Sequence, residues 1–292
     1  MIGKKQILVS RACSTLQLSR SNYYNWKKRN KPIDKDIDLR NEIQGIALEF
    51  PFYGYRRITK ELHRRKIFVN HKRVLRIMKE DNLLCLRKKA FRPVTTQSDH
   101  SYKVYPNLAK NLKVTGLNQL WVADITYIRL PKEFVYLSAI IDRFSRKCIG
   151  WALSRNIDTS LTLNALHTAI LKRKRFGFKK LVHHSDRGVQ YASDQYVREL
   201  GNNKIKISMS KGGCPYDNAY AETFMKTLKI EEVYIKEYET YEEAYENIKN
   251  FIELVYNKKR LHSSIGYVPP EEFEMEVLSN KPKIIKAKVS LT

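Results

Sequence analysis

The sequence predicts an α/β protein in two parts: a basic, all-α first part and a second part built on a mixed five-stranded β-sheet with helices. Three observations predict this. Residues 1–115 hold 27 Lys and Arg against 9 Asp and Glu, whereas residues 116–292 hold 28 against 21. Apolar residues recur at helical spacing through residues 9–84. From residue 120, three runs of β-branched and aromatic residues precede alternating helical and strand patterns, which favours a mixed sheet.

The composition excludes several classes of protein. Hydrophobic residues make up 42% of the 292 residues, which is enough for a substantial core. No apolar run reaches the roughly 18–20 residues of a membrane span, and residues 1–16 lack the apolar core of a secretory signal. The four cysteines, Cys13, Cys85, Cys148 and Cys214, form no CxxC pair. We therefore expect a cytoplasmic protein with neither a disulfide framework nor a membrane partner.

The net charge of +25 predicts a polyanionic partner. Residues 1–115 carry +18 of that charge, so the first part of the chain is expected to bind nucleic acid. The alternative is a solvated basic surface without a partner, in which the repulsion between like charges would be unrelieved.

The first part reads as two helix-turn-helix units with a packing helix between them. Residues 9–29 predict two short helices, the second opened by a serine cap, and residues 32–50 predict the packing helix. Residues 53–84 repeat the plan, with Asn70 as a cap between two apolar stripes. Ordinary helical hairpins would show the same spacing. The density of basic residues favours DNA contact through Arg56, Arg57, Lys72, Arg73 and Arg76.

The expected domain boundaries follow from these patterns. They are a helix-turn-helix with its packing helix (1–50), a second helix-turn-helix (51–90), a basic linker (91–117), a mixed-sheet core with helices (118–275) and a basic tail (276–292). The linker could itself follow a phosphate backbone.

Three carboxylates stand where a metal site could form. Asp124 lies inside an apolar strand, where an unpaired carboxylate is costly. Asp186 ends the strand of residues 179–186, and Glu222 lies in a helix that follows Gly212 and Gly213. Either aspartate alone could be a structural residue, and Glu222 could simply pair with Lys226. If the three converge, their oxygen-only donor set suits two Mg²⁺ or Mn²⁺ ions, which clamp the reacting oxygens of phosphoryl transfer.

Asp217 is the other acidic residue near that helix. It is about 140° around the helix from Glu222, so only one of the two can face a common site. We interpret Asp217 as the helix cap.

Several further residues have two interpretations. Asp142 is expected to form a structural ion pair with Arg143 or Arg146, and one of His183 and His184 is expected to face the site. Asn218 lies near the site edge. Asn257, Arg260 and His262 either cap a long helix or contact DNA.

The spacing resembles a known pattern. Asp124, Asp186 and Glu222, with 35 residues between the last two, resemble the D,D(35)E triad of retroviral integrases and bacterial insertion-sequence transposases. The segments WVADITYI, HHSDRGVQY, SMSKGGCPYDNAYAETFMKTLK and YNKKRLHSSIGYVPPEEFE are similar to the catalytic, second-reading-frame protein of the insertion-sequence three family. SRACSTLQLSRSNYYNW and YGYRRITKEL resemble the amino-terminal part of that protein.

The resemblance implies an RNase H-like core that binds the terminal inverted repeats of its element and cleaves and joins DNA strands. It implies that Lys229, seven residues after Glu222, meets a DNA phosphate; Lys226, Arg187 and Arg260 are further expected DNA contacts. It also implies a copy-and-paste route, a homodimer or higher oligomer on element-end and target DNA, a nucleoid location in bacteria, and an upstream reading-frame protein as partner. Two rival functions remain at this point: a repressor that has lost catalysis, and a nuclease that cuts RNA in hybrids.

Overall fold

The computed structural model describes residues 9–29, 36–85, 102–211 and 218–279, and the chain divides into two units, Met1–Leu84 and Cys85–Thr292. The described residues of the first unit form five helices: α1 (Val9–Thr15), α2 (Arg20–Arg29), α3 (Ile37–Glu49), α4 (Tyr55–Arg64) and α5 (His71–Glu80). The predicted caps are present. Asn22 N donates to Ser19 Oγ at 3.0 Å, and Lys72 N donates to Asn70 Oδ1 at 2.8 Å.

Helices α3, α4 and α5 pack together. The buried stripes come from all three helices: Ile43, Ile46, Ile58, Leu62, Val74, Ile77 and Met78. The boundary predicted at residue 50 therefore separates α3 from the helices that it contacts.

The second unit contains the predicted mixed sheet. Its strands are β1 (Leu120–Arg129), β2 (Phe134–Asp142), β3 (Cys148–Ser154), β4 (Val182–Ser185) and β5 (Lys206–Met209). The strand order is β3-β2-β1-β4-β5. The consecutive strands β1, β2 and β3 pair antiparallel, whereas β4 is parallel to β1 and β5 is parallel to β4. Helix connections allow the parallel pairs, and short turns allow the antiparallel ones.

Helices cover both faces of the sheet. The described helices of this unit are α6 (Thr159–Arg173), α7 (Val189–Ala192), α8 (Asp194–Asn202), α9 (Ala219–Leu228), α10 (Tyr234–Lys236), α11 (Tyr241–Asn250) and α12 (Pro270–Leu278). One core places Val122 and Val182 against Phe224 of α9 and Ile248 of α11. The core on the opposite face includes residues of α6 and α8. Wide π-helical turns extend α9 (Lys229–Val233) and α11 (Phe251–Tyr256), so the long helix that precedes Asn257 changes its pitch after Asn250.

The described part of the predicted linker belongs to the second unit. Leu108 N donates to Ser208 Oγ at 2.8 Å, and Ala109 is buried in the core. Helix α12 extends to Leu278, past the predicted start of the tail at residue 276. Asp217, Gly212, Gly213 and the remainder of the tail lie outside the described residues. In the described part of the chain, no helix is both long and apolar enough to cross a membrane.

Candidate active site

Asp124 and Asp186 come from neighbouring parallel strands. The ladder sets Leu120 opposite Val182 and Val122 opposite His184. The same offset, continued past the end of β4, places Asp124 beside Asp186. Side chains alternate along a strand, so both carboxylates share the face of Val122 and Val182, which α9 covers.

The turn after β4 orients Asp186. Gly188 N donates to Asp186 Oδ1 at 2.9 Å. A Cβ at Gly188 would lie 3.0 Å from that oxygen, so a larger residue would crowd the carboxylate. Glycine at this position leaves room around an oxygen that could hold a cation.

Helix α9 carries Glu222 along the same face. Its first turn is attached to β1 because Asn218 Nδ2 donates to the carbonyl oxygen of Ala123, next to Asp124, at 2.8 Å. Ala221, Phe224, Met225 and Leu228 are buried against the sheet. Each residue turns the helix by about 100°, so Glu222 lies at one edge of this buried face. Lys229, seven residues later, lies about 20° around the helix from Glu222. Lys226 is exposed, farther towards solvent.

The electrostatics show that the three carboxylates act on one another. The pKa of Asp124 rises from 3.8 to about 8, first because the group is buried and then because Asp186 and Glu222 repel its charge. Lys229 partly offsets this rise. Burial lowers the pKa of Lys229, and the charge of Asp124 counteracts that shift.

The residues fit a divalent cation. Three mutually repelling carboxylates supply hard oxygen ligands, which Mg²⁺ and Mn²⁺ prefer. Within the described residues, no group of three or more His, Cys, Asp or Glu side chains already has the arrangement of a metal site.

Two tyrosines beside the carboxylates were not predicted. Lys229 Nζ lies 4.2 Å from the ring centroid of Tyr127, a cation–π contact. Burial raises the pKa of Tyr191, and the charges of Asp124 and Asp186 add to that rise. Tyr127 lies three residues after Asp124 and Tyr191 five after Asp186, but an aromatic residue near a motif is too common to signal a role.

The two histidines before Asp186 face opposite sides of the sheet. His183 Nε2 lies 2.9 Å from the Tyr196 hydroxyl in the opposite core, where burial lowers the pKa of His183 to about 3. His184 shares the face of Asp186, and its Nδ1 lies 2.8 Å from Ser208 Oγ. A role for His184 in the reaction stays a prediction.

Asp142 is structural, but the predicted partners were wrong. Its carboxylate accepts hydrogen bonds from the backbone N–H groups of Asn118, Phe144 and Ser145. Burial raises its pKa to about 6, and the Asn118 amide partly offsets this. The guanidinium groups of Arg143 and Arg146 instead lie 4.7 and 4.0 Å from the ring centroid of Tyr220.

The structure argues against DNA contact by Arg260. This side chain is 5% exposed and makes a two-point contact with the Glu231 carboxylate at 2.6 and 2.7 Å. Asn257 bonds both the N–H and the carbonyl of Cys148 at 3.0 Å. His262 is buried, and its ring packs 4.7 Å from that of Tyr256. The segment therefore holds the end of the long helix to the sheet, which is the capping alternative.

The basic residues predicted to bind DNA differ in their surroundings. Arg73 and Arg76 of α5 both pair with Asp36, whose pKa they lower, while Lys72 is exposed at the start of the same helix. The guanidinium groups of Arg56 and Arg57 lie 5.6 and 5.5 Å from the ring centroids of Tyr55 and Tyr53. In the second unit, Arg187 Nε donates to Ser210 O at 2.9 Å. Contact between these residues and DNA stays a prediction.

Family models match both parts of the chain. An HTH-like domain matches residues 34–91, and two integrase core domain models match residues 115–215 and 203–270. These domains indicate DNA binding.

Two solved structures of integrase catalytic core domains align with part of this chain. The catalytic core domain of BIV integrase is 20% identical and covers 56% of this chain and 98% of its own, with a TM-score of 0.40. The HTLV-2 integrase catalytic core domain in complex with magnesium is 17% identical over 53% of this chain and 95% of its own, with a TM-score of 0.41. At this level of similarity, no residue role transfers.

Two relatives match nearly the whole chain. The "Insertion element IS600 uncharacterized 31 kDa protein" of Shigella sonnei is 36% identical over 266 residues, 89% of this chain and 96% of the relative. "Transposase InsF for insertion sequence IS3A" of Escherichia coli (strain K12) is 33% identical over 273 residues, 91% of this chain and 94% of the relative. The chain therefore belongs to the IS3 family of insertion-sequence transposases, and its integrase core makes it a DDE-type DNA transposase.

Proposed function

We propose that Asp124, Asp186 and Glu222 are the metal-binding catalytic carboxylates of this transposase. The supporting observation is that Asp186 and Glu222 both raise the pKa of Asp124, so all three act at one place. Two Mg²⁺ or Mn²⁺ ions, when bound, would activate the attacking water or 3′-hydroxyl and stabilise the leaving oxygen.

The protein's own contribution is position and charge. Asp124 lies in β1, and Asp186 directly follows β4, the strand that pairs with β1, so the paired strands limit how far the two carboxylates can move apart. Glu222 comes from helix α9, whose first turn is attached to β1 by Asn218. Lys229 presents an ammonium group on the same helical face, suited to a phosphate oxygen beside the scissile bond.

The DNA substrate would be the terminal inverted repeats of the element and then the target. Helix α5, opened by the Asn70 cap, is suited to the major groove, with Lys72 near its start. Synapsis holds two DNA ends together at the same time, so we infer at least a dimer on DNA. We also infer an upstream reading-frame protein as partner and action at the bacterial nucleoid.

A strand-transfer assay on end-sequence DNA with Mg²⁺ tests the catalytic assignment. We expect Asp124→Asn, Asp186→Asn and Glu222→Gln each to abolish joining of ends. Asp194→Asn, at the exposed start of α8, is the matched control and should retain activity. If any of the three site variants joins ends as well as the control does, that residue is not a metal ligand.

Metal binding has a readout independent of activity. Mg²⁺ that binds only the folded protein raises its unfolding temperature. We expect this rise for the wild type and the Asp194→Asn control but not for Asp186→Asn. An equal rise for Asp186→Asn would contradict the site.

A further inference from the structure

A polar cleft of about 530 Å³ lies at the β3 edge of the sheet. The start of β3, the end of α6, the π-helical turn Phe251–Tyr256 and α12 form its walls. None of the three candidate catalytic carboxylates lines it. Its volume is within the range of about 300–1,000 Å³ typical of small-molecule sites. Five of its lining residues are cationic: Lys147, Lys172, Arg173, Arg175 and Lys258.

The carboxylates of the cleft neutralise only part of this charge. Glu274 pairs with Arg173 and lies 3.6 Å from Lys147 Nζ. Glu271 lies 3.4 Å from the same ammonium group, and Glu253 lies 4.0 Å from Lys172 Nζ. Five cations against three carboxylates leave the cleft positive.

Two of the cations are not neutralised by a neighbour. Across residues 9–29, 36–85, 102–211 and 218–279, neither Arg175 nor Lys258 forms an ion pair. The guanidinium of Arg175 lies 4.7 Å from the ring centroid of Phe176, a cation–π contact that restrains its position. Lys258 is exposed on the other wall. Both could approach an anion in the cleft without first breaking a salt bridge.

Arg173 supplies an unsatisfied donor in the wall of the cleft. The residue is 3% exposed, and its Nη2 is occupied by Glu274. Its Nε is buried and has no hydrogen-bond acceptor among the described residues. A buried N–H group without an acceptor is rare and unfavourable. The planar guanidinium fork matches the oxygens of an oxyanion.

We propose that this cleft is a phosphate-binding site, separate from the candidate metal site. Phosphate fits better than a carboxylate because it offers several acceptor oxygens and up to two charges to Arg173, Arg175 and Lys258. The phosphate could belong to a DNA backbone or to a free polyphosphate. The inference does not depend on the catalytic carboxylates.

Calorimetric titration of the full chain with pyrophosphate, in the presence of a chelator, tests the site. We expect the Arg175→Gln/Lys258→Gln double variant to bind at least about tenfold more weakly than the wild type, because two charge-assisted contacts are lost. Lys110→Gln/Lys179→Gln removes the same charge at exposed positions outside the cleft and should bind like the wild type. Glu253→Gln should bind more tightly, because it removes a negative charge beside Lys172.

Competition with a DNA duplex identifies the source of the phosphate. Displacement of pyrophosphate by the duplex in the wild type, with weaker duplex binding by the cleft double variant, assigns the site to a DNA backbone. Retention of pyrophosphate in the presence of bound duplex assigns it to a free phosphate compound. Equal pyrophosphate affinities of the two double variants would overturn the proposal.

Discussion

Replacing Gly150 with alanine should destabilise the sheet domain sharply. Gly150 lies in β3 where the strand passes close to α6. A Cβ at this position would lie 2.2 Å from the carbonyl oxygen of Ala165 and 2.8 and 2.9 Å from Cβ and N of Ala169. Two of the three atoms belong to the helix backbone, so no side-chain rotation relieves the contact.

The cost follows from the size of the overlap. A non-bonded carbon and oxygen atom must be more than about 3 Å apart, so β3 and α6 must separate by about 1 Å. That gap loses a quarter to a half of the dispersion energy between the atoms in contact. Overpacking of this kind costs about 1–3 kcal/mol, and contact with backbone favours the upper end. For a unit of this size, about 3 kcal/mol corresponds to a fall of roughly 6–12 °C in Tm.

Thermal unfolding followed by circular dichroism measures the effect. Gly201→Ala is the matched control, because Gly201 is in α8 and a Cβ there meets no atom within 4 Å. Because alanine has a higher helix propensity than glycine, this control should be as stable as the wild type or up to about 1 kcal/mol more stable. If Gly150→Ala unfolds at the temperature of the wild type, the packing of β3 against α6 is not as close as described.

Three further predictions follow from the site and its surroundings. As pH rises from about 4 to 8, Asp124 loses its proton in the unfolded chain but keeps it in the folded protein, which lowers the free energy of unfolding. With metal removed by a chelator, Asp124→Asn should therefore stabilise the protein by roughly 2–5 kcal/mol at pH 8 and little at pH 4. Urea unfolding that shows no pH-dependent difference between the variant and the wild type would contradict this. Arg260→Gln should lower the free energy of unfolding by roughly 3–5 kcal/mol without changing the salt dependence of DNA binding. Lys72→Gln should keep the stability and reduce by about one the slope of the logarithm of the DNA-binding constant against the logarithm of the salt concentration. A smaller slope for Arg260→Gln without loss of stability would instead support Arg260 as a DNA contact. Tyr127→Leu should weaken the positioning of Lys229 and lower the rate of strand transfer about 3–30-fold. Tyr127→Phe keeps the aromatic face and should keep the rate of the wild type. Equal rates of strand transfer for the two variants would exclude the cation–π role.

The elements of the fold were predictable because they depend on neighbours along the chain. The run from Leu120 to Leu130 predicts a strand, and the spacing of Ala221, Phe224, Met225 and Leu228 makes α9 a helix with one buried face. Asn70 was recognisable as a cap because a cap bonds an amide two residues away. The domain division was less predictable, since α3 packs against helices that follow it in sequence.

The wrong pairings have one physical origin. Asp142 was expected to pair with the adjacent Arg143, but its partners include the Asn118 amide, 24 residues away. Arg260 was expected either to cap the long helix or to contact DNA, and the partner that it has in the structure is Glu231, 29 residues away. A sequence pattern carries no distance between residues so far apart, and burial determines which of several possible partners a charge takes.

The sequence by itself determined the candidate carboxylates, their spacing and the helix that carries the third, because strand and helix periodicity are local properties. Only the tertiary structure decided that Asp124 and Asp186 lie side by side, since that depends on the register between β1 and β4. It also decided that Lys229 rests on Tyr127. These contacts depend on how separate elements pack, and packing is a property of the whole folded domain.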